Sequence, residues 1–176
     1  MEWEAYEERI ESPPGEYRTD VPAIFTDAAV FDEFVSDLAG LLNPADFDYV
    51  AGIDAMGYIP GTALARHFGV GFVSIRKDEK LPVREENRVA DSLVDYTGEE
   101  KTLEVNVEHV PEDGPVLLVD DWMETASQVE TAIELLERAG GTVGGIAVLA
   151  AAETETTRRL DEEYGVHSVK PFREGA

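Results

Sequence analysis

The sequence predicts a single α/β domain whose core is a mainly parallel sheet flanked by helices. Segments patterned like strands alternate along the chain with segments that have the spacing of amphipathic helices, as in parallel α/β folds. Two of the strand segments, 116–119 and 143–150, are continuous apolar runs, which is typical of strands buried on both faces. The length of 176 residues supports one well-formed core and is short for two.

The N-terminal part, residues 1–45, is predicted to form a small hood and one helix beside an α/β core that spans 46–172. Residues 1–20 are polar and contain prolines, so we predict an arm there rather than a core element. Apolar residues then recur at helical spacing between positions 30 and 42, and this spacing predicts an amphipathic helix.

The core is predicted to alternate strands and helices. Pro60 falls in the first turn of one predicted helix, where proline is tolerated, and the pair Gly140-Gly141 ends another. Residues 78–101 carry many charges and little periodicity, so they are predicted to form a flexible loop. The remaining elements are, in chain order, strand 48–53, helix 59–68, strand 71–75, an exposed strand 103–107, strand 116–119, a helix over 129–136, strand 143–150, a short helix after 153 and strand 166–169.

The composition is strongly acidic, with 38 acidic residues against 14 basic ones and a net charge of −24. This charge is typical of a protein adapted to a salt-rich cytoplasm, because at molar salt the Debye length falls to about 3 Å and self-repulsion is screened. A disordered acidic tail is excluded, since the acids are spread through patterned segments and 43% of the residues are hydrophobic. The same charge disfavours a nucleic-acid partner.

Several classes of site and location are disfavoured by what the sequence lacks. It has no cysteine, which excludes disulfides, thiolate catalysis and cysteine-based zinc sites. Its three histidines are scattered without the spacing of metal ligands. It has no apolar run near about 20 residues and no charged-then-apolar leader, so we expect a cytoplasmic protein with no membrane partner.

The most informative segment, 116–128, places two carboxylates between an apolar strand and a helix. Asp120 and Asp121 follow the strand directly, at the end where parallel sheets bind ligands. Their carboxylates can accept hydrogen bonds from sugar hydroxyls or hold a sugar hydroxyl that is bound to magnesium. The amides of residues 125–128 can meet a phosphate at the positive end of the helix. The segment therefore suits a sugar phosphate, although paired acids at this position can also simply cap a helix.

A second chemical signal is a cluster of basic residues between positions 76 and 88. So dense a positive patch in an acidic protein suggests contact with an anion, and an ordinary solvated loop is the alternative. The cluster consists of Arg76, Lys77, Lys80, Arg84 and Arg88.

The segment 116–128 resembles the diphosphoribosyl-binding signature of the type I phosphoribosyltransferases, in which an apolar strand, two acids and a Thr/Gly-rich phosphate cradle follow one another. The resemblance covers most of the chain and is greatest to the adenine phosphoribosyltransferases. Other stretches agree with that family in order and spacing: 21–27 with its purine-binding segment, 50–58 with its pyrophosphate loop, 75–77 and 80–82 with its next signature, and 158–160 and 164–168 near the end.

This resemblance implies an enzyme that transfers a purine base, adenine first among them, onto 5-phosphoribosyl diphosphate and releases pyrophosphate, with Mg²⁺ as cofactor and a homodimer as the assembly. It also implies a role for individual residues. The catalytic group consists of Asp120, Asp121, Glu124 and Lys77, with the two aspartates holding the metal indirectly through ribose hydroxyls or water. By the same resemblance, the residues that bind the 5-phosphate are Glu124, Thr125, Ala126, Ser127 and Gln128. The residues that bind pyrophosphate are Asp54, Ala55, Met56, Gly57, Arg76, Lys77 and Lys80. The residues that bind the purine are Ile24 and Phe25. Residues 78–101 are expected to close over the site, with Asp95-Tyr96 in the place of the family's Glu-Tyr pair.

Two alternatives remain open. Glu124 stands where adenine enzymes usually have alanine, and a carboxylate there can exchange a proton with a 6-oxopurine such as hypoxanthine, guanine or xanthine. The chain also has no glycine in its cradle and has Met56 where the family commonly has arginine. These two departures motivate a non-catalytic sensor that binds the diphosphate or a nucleotide.

Overall fold

The structure is a computed structural model, and it describes residues 1–10, 20–78, 80–94 and 98–172. The described residues form an eight-stranded sheet with helices on both faces. The strands are β1 (Tyr49–Ile53), β2 (Gly71–Lys77), β3 (Arg88–Val94), β4 (Glu100–Asn106), β5 (Pro115–Val119), β6 (Trp122–Met123), β7 (Thr142–Ala151) and β8 (Val166–Lys170). The α-helices are α1 (Trp3–Glu7), α2 (Ala28–Gly40), α3 (Tyr58–Phe68), α4 (Ser127–Arg138) and α5 (Glu155–Tyr164).

The sheet has a parallel part and an antiparallel part. Strands β2, β1, β5 and β7 lie side by side in that order and are parallel, and β6 and β8 both pair with β7 in parallel. On the other side of β2, β4 and then β3 continue the sheet as an antiparallel hairpin. The predicted α/β class with a mainly parallel sheet is therefore confirmed.

Two apolar layers cover the sheet, because successive side chains of a strand point to opposite faces. Val50 of β1 and Leu117 of β5 pack with α2, α3 and the N-terminal segment, whereas Ala51 and Leu118 pack with α4 and α5. This double coverage explains why the parallel strands are continuous apolar runs in the sequence. Within the described residues, no helix is long and apolar enough to cross a membrane.

The N-terminal segment contributes to the core, which differs from the prediction of an arm outside it. Tyr6 of α1 is fully buried, packs edge-to-face on Phe34, and donates a hydrogen bond of 2.6 Å from its hydroxyl to Asp37. A 3-10 helix over Val21–Thr26 follows and leads into α2, whose first amides are capped by the side chain of Asp27. The arm is tied down because one aromatic residue in a polar stretch reaches the core.

The segment 78–101, predicted to be a flexible loop without periodic structure, contains a strand that the prediction lacked, since residues 88–94 form β3 and pair with β4 along its whole length. The prediction of an exposed strand at 103–107 is wrong, since Leu103, Glu104, Val105 and Asn106 are all buried. Both differences have one cause, which is that the hairpin carries charged residues whose partners lie far along the chain. Glu104, for example, is bonded by Arg88 and by the amide of Leu81.

Candidate active site

Three loops meet at one edge of the parallel sheet. Because β1, β2 and β5 are parallel neighbours, the residues at and just after their carboxyl ends, 54–57, 77–78 and 120–121, emerge on the same side. This is the edge where open α/β sheets bind ligands. The residues that the sequence assigns to the diphosphate and to the ribose are thereby brought together.

The acidic pair is held by backbone hydrogen bonds to the neighbouring strand. The amide of Asp120 donates to the carbonyl of Ala147, and the carbonyl of Asp121 accepts from the amides of Leu149 and Ala150. The side chain of Asp120 accepts a bond of 2.9 Å from the amide of Asp121, which fixes one carboxylate oxygen. The pair is therefore oriented by β7, and neither side chain caps α4. The simple capping alternative does not describe this structure.

Burial makes the acidic pair costly to ionise. Only 6% of Asp120 is exposed, and its pKa is raised well above the ordinary value, first by burial and then by the charge of Asp121. The pKa of Asp121 is also raised by burial. The positive charge of Lys77 acts in the opposite direction and lowers the pKa of both carboxyls. Lys77 is thus electrostatically coupled to the pair. It lies at the end of β2, which is separated from β5 only by β1.

The loop that follows β1 lies directly against the end of β5. A Cβ atom built on Gly57 comes within 2.6 Å of the carbonyl oxygen of Val119 and within 2.8 Å of the backbone of Ile53, so no side chain fits at this position. The peptide bond between Asp54 and Ala55 is cis. Ala55 is exposed and Met56 is half-buried in this loop. The close contact at Gly57 places the loop beside the acidic pair.

The basic residues at the end of β2 and just after it differ in their surroundings. Arg76 pairs with Asp54 across the two loops, Nε to Oδ2 at 3.2 Å, in a geometry that leaves the buried Nε without a hydrogen bond. The amide of Lys77 also lies 3.5 Å from Asp54 Oδ2. Lys80 is exposed, and its amino group is 3.9 Å from Asp78. The side chain of Asp54 therefore holds the end of β2 against the loop 54–57. The amino groups of Lys77 and Lys80 are cations that could bind a diphosphate.

The predicted phosphate cradle, 124–128, forms the turn into α4. Ala126 has a left-handed backbone, with φ at 65°, and is buried, while the hydroxyls of Thr125 and Ser127 lie 3.0 Å apart. In the part of the chain that the structure describes, no side chain caps the helix, so its first amides are available to an anion. The Oε1 atom of Gln128 is buried and has no hydrogen-bond partner among the described residues.

The two predicted purine contacts have different exposures. Phe25 is partly exposed and packs against Phe31 and Phe34, with ring centroids at 5.2 and 5.9 Å. Ile24 is fully buried in the core beneath α2. In this conformation Phe25, and not Ile24, offers apolar surface to a ligand. Asp95 and Tyr96, the predicted closing pair, lie outside the described residues.

The sequence reasoning missed an aromatic cluster next to the acidic pair. The ring of Trp122 lies 6.4 Å from that of Trp3 in an edge-to-face contact, and the amino group of Lys170 lies over both rings. Trp122 also donates a hydrogen bond of 3.1 Å from Nε1 to the exposed carboxylate of Glu124. A tryptophan immediately after two aspartates was a visible signal, but Trp3 and Lys170 are too distant in sequence to be joined to it.

Mg²⁺ fits the chemistry of the acidic pair. Within the described part of the chain, no group of three or more His, Cys, Asp or Glu side chains could hold a metal alone. Mg²⁺ usually retains several waters and takes one or two carboxylates together with substrate phosphates. The half-buried carboxylate of Asp121 and the fixed one of Asp120 meet that requirement through water or through sugar hydroxyls.

The fold and the site together define a class, which is a protein that binds a phosphorylated sugar at the carboxyl edge of a parallel sheet. Comparison with known proteins gives the family. The family model described as a phosphoribosyl transferase domain matches residues 32–174. The chain belongs to the phosphoribosyltransferase family.

Sequence relatives agree with this assignment. The chain is 40% identical over 138 residues to a protein of Salinispora tropica named adenine phosphoribosyltransferase, a match that covers 77% of this chain and 70% of the relative. It is 41% identical over 136 residues to the protein of the same name from Maricaulis maris, covering 75% and 73% of the two chains.

Solved structures agree as well. The adenine phosphoribosyltransferase of Thermoanaerobacter pseudethanolicus superposes with a TM-score of 0.84 at 28% identity and covers 95% of this chain and 98% of its own. The enzyme of Giardia lamblia, solved with 9-deazaadenine, also gives a TM-score of 0.84, at 27% identity, with 96% and 97% coverage.

Proposed function

We propose that this protein is a purine-salvage enzyme that transfers adenine onto 5-phosphoribosyl diphosphate and forms adenosine monophosphate and pyrophosphate. The observation that carries the proposal is the acidic pair, the buried Asp120 and the half-buried Asp121, held by β7 immediately before the N-terminus of α4. The chain is also 41% identical over 136 residues to a protein named adenine phosphoribosyltransferase. In such an arrangement the two acids bind the ribose hydroxyls and the adjacent cradle binds the phosphate, so the site holds both ends of a ribose phosphate.

The reaction requires little covalent help from the protein. A ring nitrogen of the base forms a bond to C1 of the ribose while the bond from C1 to the diphosphate oxygen breaks. The proton that this nitrogen carried is released to solvent, and C1 is positively charged in the transition state. Positioning and electrostatics therefore supply most of the catalysis. When bound, Mg²⁺ neutralises charge on the leaving diphosphate.

Each loop has a proposed part in that reaction. Asp120 and Asp121 hold the ribose hydroxyls and place negative charge near C1. Residues 124–128 bind the 5-phosphate through the first amides of α4 and the hydroxyls of Thr125 and Ser127. The diphosphate lies against the loop 54–57 and the cations Arg76, Lys77 and Lys80. The hood supplies Phe25 to the base, while Ile24 is buried in the core.

Glu124 is proposed to lie at the edge of the base. Its carboxylate is exposed and oriented by Trp122, so it can accept a hydrogen bond from a ligand or take its proton. The contact with Trp122 does not by itself favour a 6-oxopurine over adenine. The names of the relatives support adenine.

Product analysis with each base tests the proposal. The purified protein is incubated with 5-phosphoribosyl diphosphate and Mg²⁺ in high salt, with adenine, hypoxanthine, guanine or xanthine. Adenosine monophosphate is expected with adenine, and replacing Asp120 and Asp121 together by asparagine should lower kcat/KM by about a hundredfold or more. Glu134→Gln, an exposed change on α4, is the control and should leave the rate unchanged.

The two alternatives predict other products. Abundant inosine, guanosine or xanthosine monophosphate without adenosine monophosphate would establish the 6-oxopurine enzyme instead. Tight binding of the diphosphate or of a nucleotide, with no turnover of any of the four bases, would establish the sensor.

The setting and the assembly are further parts of the proposal. The net charge of −24 supports a salt-rich cytoplasm and argues against a nucleic-acid partner. The homodimer rests on the family resemblance. Sedimentation velocity at micromolar concentration in molar KCl checks it, and a species of twice the monomer mass is expected.

A further inference from the structure

Glu104 is a buried carboxylate on β4, which is separated by β2 and β1 from β5, the strand that the acidic pair follows. It lies in the middle of β4 and is 0% exposed. Its neighbours Leu103 and Val105 point to the other face of the sheet, where they pack in the apolar layer with α4. A lone carboxylate in such a position is costly unless hydrogen bonds and a positive charge satisfy it.

Both partners of Glu104 come from the segment 80–88, whose last residue, Arg88, is the first residue of β3. The amide of Leu81 donates to Oε1 at 2.7 Å, and Arg88 donates from Nη1 to Oε2 at 3.3 Å. Arg88 is held in turn by Glu85 at 3.0 Å. One carboxylate therefore fastens both ends of this segment to the sheet.

The register of the sheet places Glu104 beside the proposed diphosphate site. Glu104 is directly opposite Arg76 of β2, and Lys77 is opposite Leu103. Side chains of directly opposed residues lie on the same face, so Glu104 and Arg76 share a face. Lys80, which immediately precedes Leu81, is consequently positioned by the bond that Glu104 accepts.

We propose that Glu104 is a positioning residue which, by binding Leu81 and Arg88, docks the segment 80–88 on the sheet and so presents Lys80 to the diphosphate. The inference rests on the proposed function, because it names the residue that holds part of the proposed diphosphate site in place. In the proposed arrangement Glu104 itself does not contact the substrate.

The docking equilibrium sets the size of the effect. If the diphosphate binds only when the segment is docked, the apparent dissociation constant equals the intrinsic one divided by the docked fraction. Weakening the anchor lowers that fraction and raises KM for 5-phosphoribosyl diphosphate. The KM for adenine, which is proposed to bind at Phe25, does not depend on the segment.

The experiment compares two variants of Glu104 that differ in what they retain. Glu104→Gln keeps an oxygen that can accept from Leu81 but loses the charge that Arg88 binds, while Glu104→Leu loses both. The KM for 5-phosphoribosyl diphosphate, and its dissociation constant by calorimetry, should rise by about three- to tenfold for Gln and further for Leu, with the KM for adenine unchanged. Asp91→Asn is the matched control, since it removes the ion pair of β3 with Arg138 and leaves segment 80–88 intact.

A second variant and a second measurement guard against a general loss of folding. Arg88→Gln breaks the same ion pair from the other side, so combining it with Glu104→Gln should add little to either single effect. Hydrogen–deuterium exchange should show faster uptake confined to residues 80–88 in both single variants.

The outcomes separate this inference from the proposed function. The inference alone is overturned if the wild-type protein is active and if neither Glu104→Gln nor Glu104→Leu changes the KM or the dissociation constant for 5-phosphoribosyl diphosphate. Faster exchange spread over the whole chain, with both substrates equally affected, also overturns it, because Glu104 is then only a stability residue. A wild-type protein that forms no nucleotide with any purine overturns the proposed function, and exchange in 80–88 then judges the docking by itself.

Discussion

At the scale of the residue, Asp120 combines a functional position with a cost in stability. The side chain is buried beside Asp121, and both carboxyls have raised pKa values. A carboxyl whose pKa is raised by folding binds its proton more tightly in the folded state than in the unfolded state. The folded protein therefore loses stability as pH rises from the ordinary aspartate value near 4 through the raised value.

Replacing Asp120 by asparagine should remove that loss. We expect the free energy of unfolding of Asp120→Asn to exceed that of the wild type by about 1–3 kcal/mol at pH 8, and the difference to disappear near pH 4, where the aspartate is protonated. Denaturant unfolding at the two pH values, in the same high salt, measures this difference. A variant that is less stable than the wild type at pH 8 would show that Lys77 already compensates the buried charge.

Ala126 is a second residue at which local geometry and function meet. Its left-handed backbone turns the chain into α4, so that the first amides of the helix face the proposed phosphate site. A left-handed residue other than glycine costs about 1–2 kcal/mol, whereas its buried methyl group contributes about 0.8 kcal/mol. The buried methyl group therefore offsets roughly half of the backbone cost, which helps alanine to be accepted at this position.

Substitutions at this position should therefore have unequal effects. Ala126→Gly should change the free energy of unfolding by less than about 1 kcal/mol. Ala126→Val should lower it by about 2–3 kcal/mol, because a β-branched side chain is strained at positive φ. Urea unfolding of the two variants provides the comparison. Equal destabilisation by glycine and valine would show that lost packing, and not backbone strain, dominates.

At the scale of the element, the contact of Gly57 with the end of β5 couples two loops of the site. The built Cβ atom meets backbone oxygen and nitrogen, which cannot rotate away as a flexible side chain can. Any side chain therefore separates the loop 54–57 from the acidic loop. A substitution at Gly57 would therefore shift the proposed diphosphate site relative to the proposed ribose site.

Gly57→Ala is expected to raise KM for 5-phosphoribosyl diphosphate by at least about tenfold, because a displacement near 1 Å misplaces the bound groups. Gly40→Ala at the end of α2 is the control, since a Cβ atom there meets nothing within 4 Å. The control should keep wild-type kinetics and be stabilised by at most about 1 kcal/mol. Steady-state kinetics and thermal melting of both variants give the result. Unchanged kinetics for Gly57→Ala would mean that the loops adjust independently.

The parallel half of the fold could be predicted from the sequence because its strands are buried on both faces. Such strands appear as apolar runs, as at 116–119 and 143–150, and the helices between them show helical spacing. Their order also predicts that residues 54–57 and 120–121 meet, since parallel strands end at one edge. The structure brings these residues together as expected.

The hairpin β3–β4 could not be predicted in the same way. β3 is an edge strand in which only Leu93 is buried, so its apolar pattern is weak. Glu104 interrupts the pattern of β4 with a charge whose burial depends on Leu81 and Arg88, and these contacts are not visible locally. The left-handed turn at Ala126 and the cluster of Trp3 with Trp122 were hidden for the same reason, because each depends on tertiary packing.

At the scale of the whole molecule, charge is the dominant feature. A net charge of −24 on 176 residues opposes the compact state in dilute buffer. The Debye length falls from about 10 Å at 0.1 M salt to about 3 Å at 1 M, so salt removes most of this repulsion. Stability should therefore depend on salt more steeply than in a protein of ordinary charge.

We expect the melting temperature to rise most strongly between 0.1 and about 1 M KCl and less above that concentration. Neutralising five exposed glutamates should raise the melting temperature at low salt and flatten its rise. The replacements are Glu2→Gln, Glu108→Gln, Glu112→Gln, Glu134→Gln and Glu162→Gln. Calorimetry over a KCl series, with sucrose as an uncharged reference solute, measures the effect. A wild-type melting temperature that is independent of KCl would refute the adaptation to salt.

The hydrogen bonds that β7 makes to the acidic loop have a consequence for biosynthesis. Asp120 and Asp121 are synthesised about thirty residues before Ala147, Leu149 and Ala150, which fix them. A nascent chain that has emerged from the ribosome only as far as α4 therefore contains both carboxylates but lacks the β7 backbone groups that orient them. Ribosome-arrested chains of increasing length should retain radiolabelled 5-phosphoribosyl diphosphate only after residue 151 has left the exit tunnel, and retention by shorter chains would contradict this order of assembly.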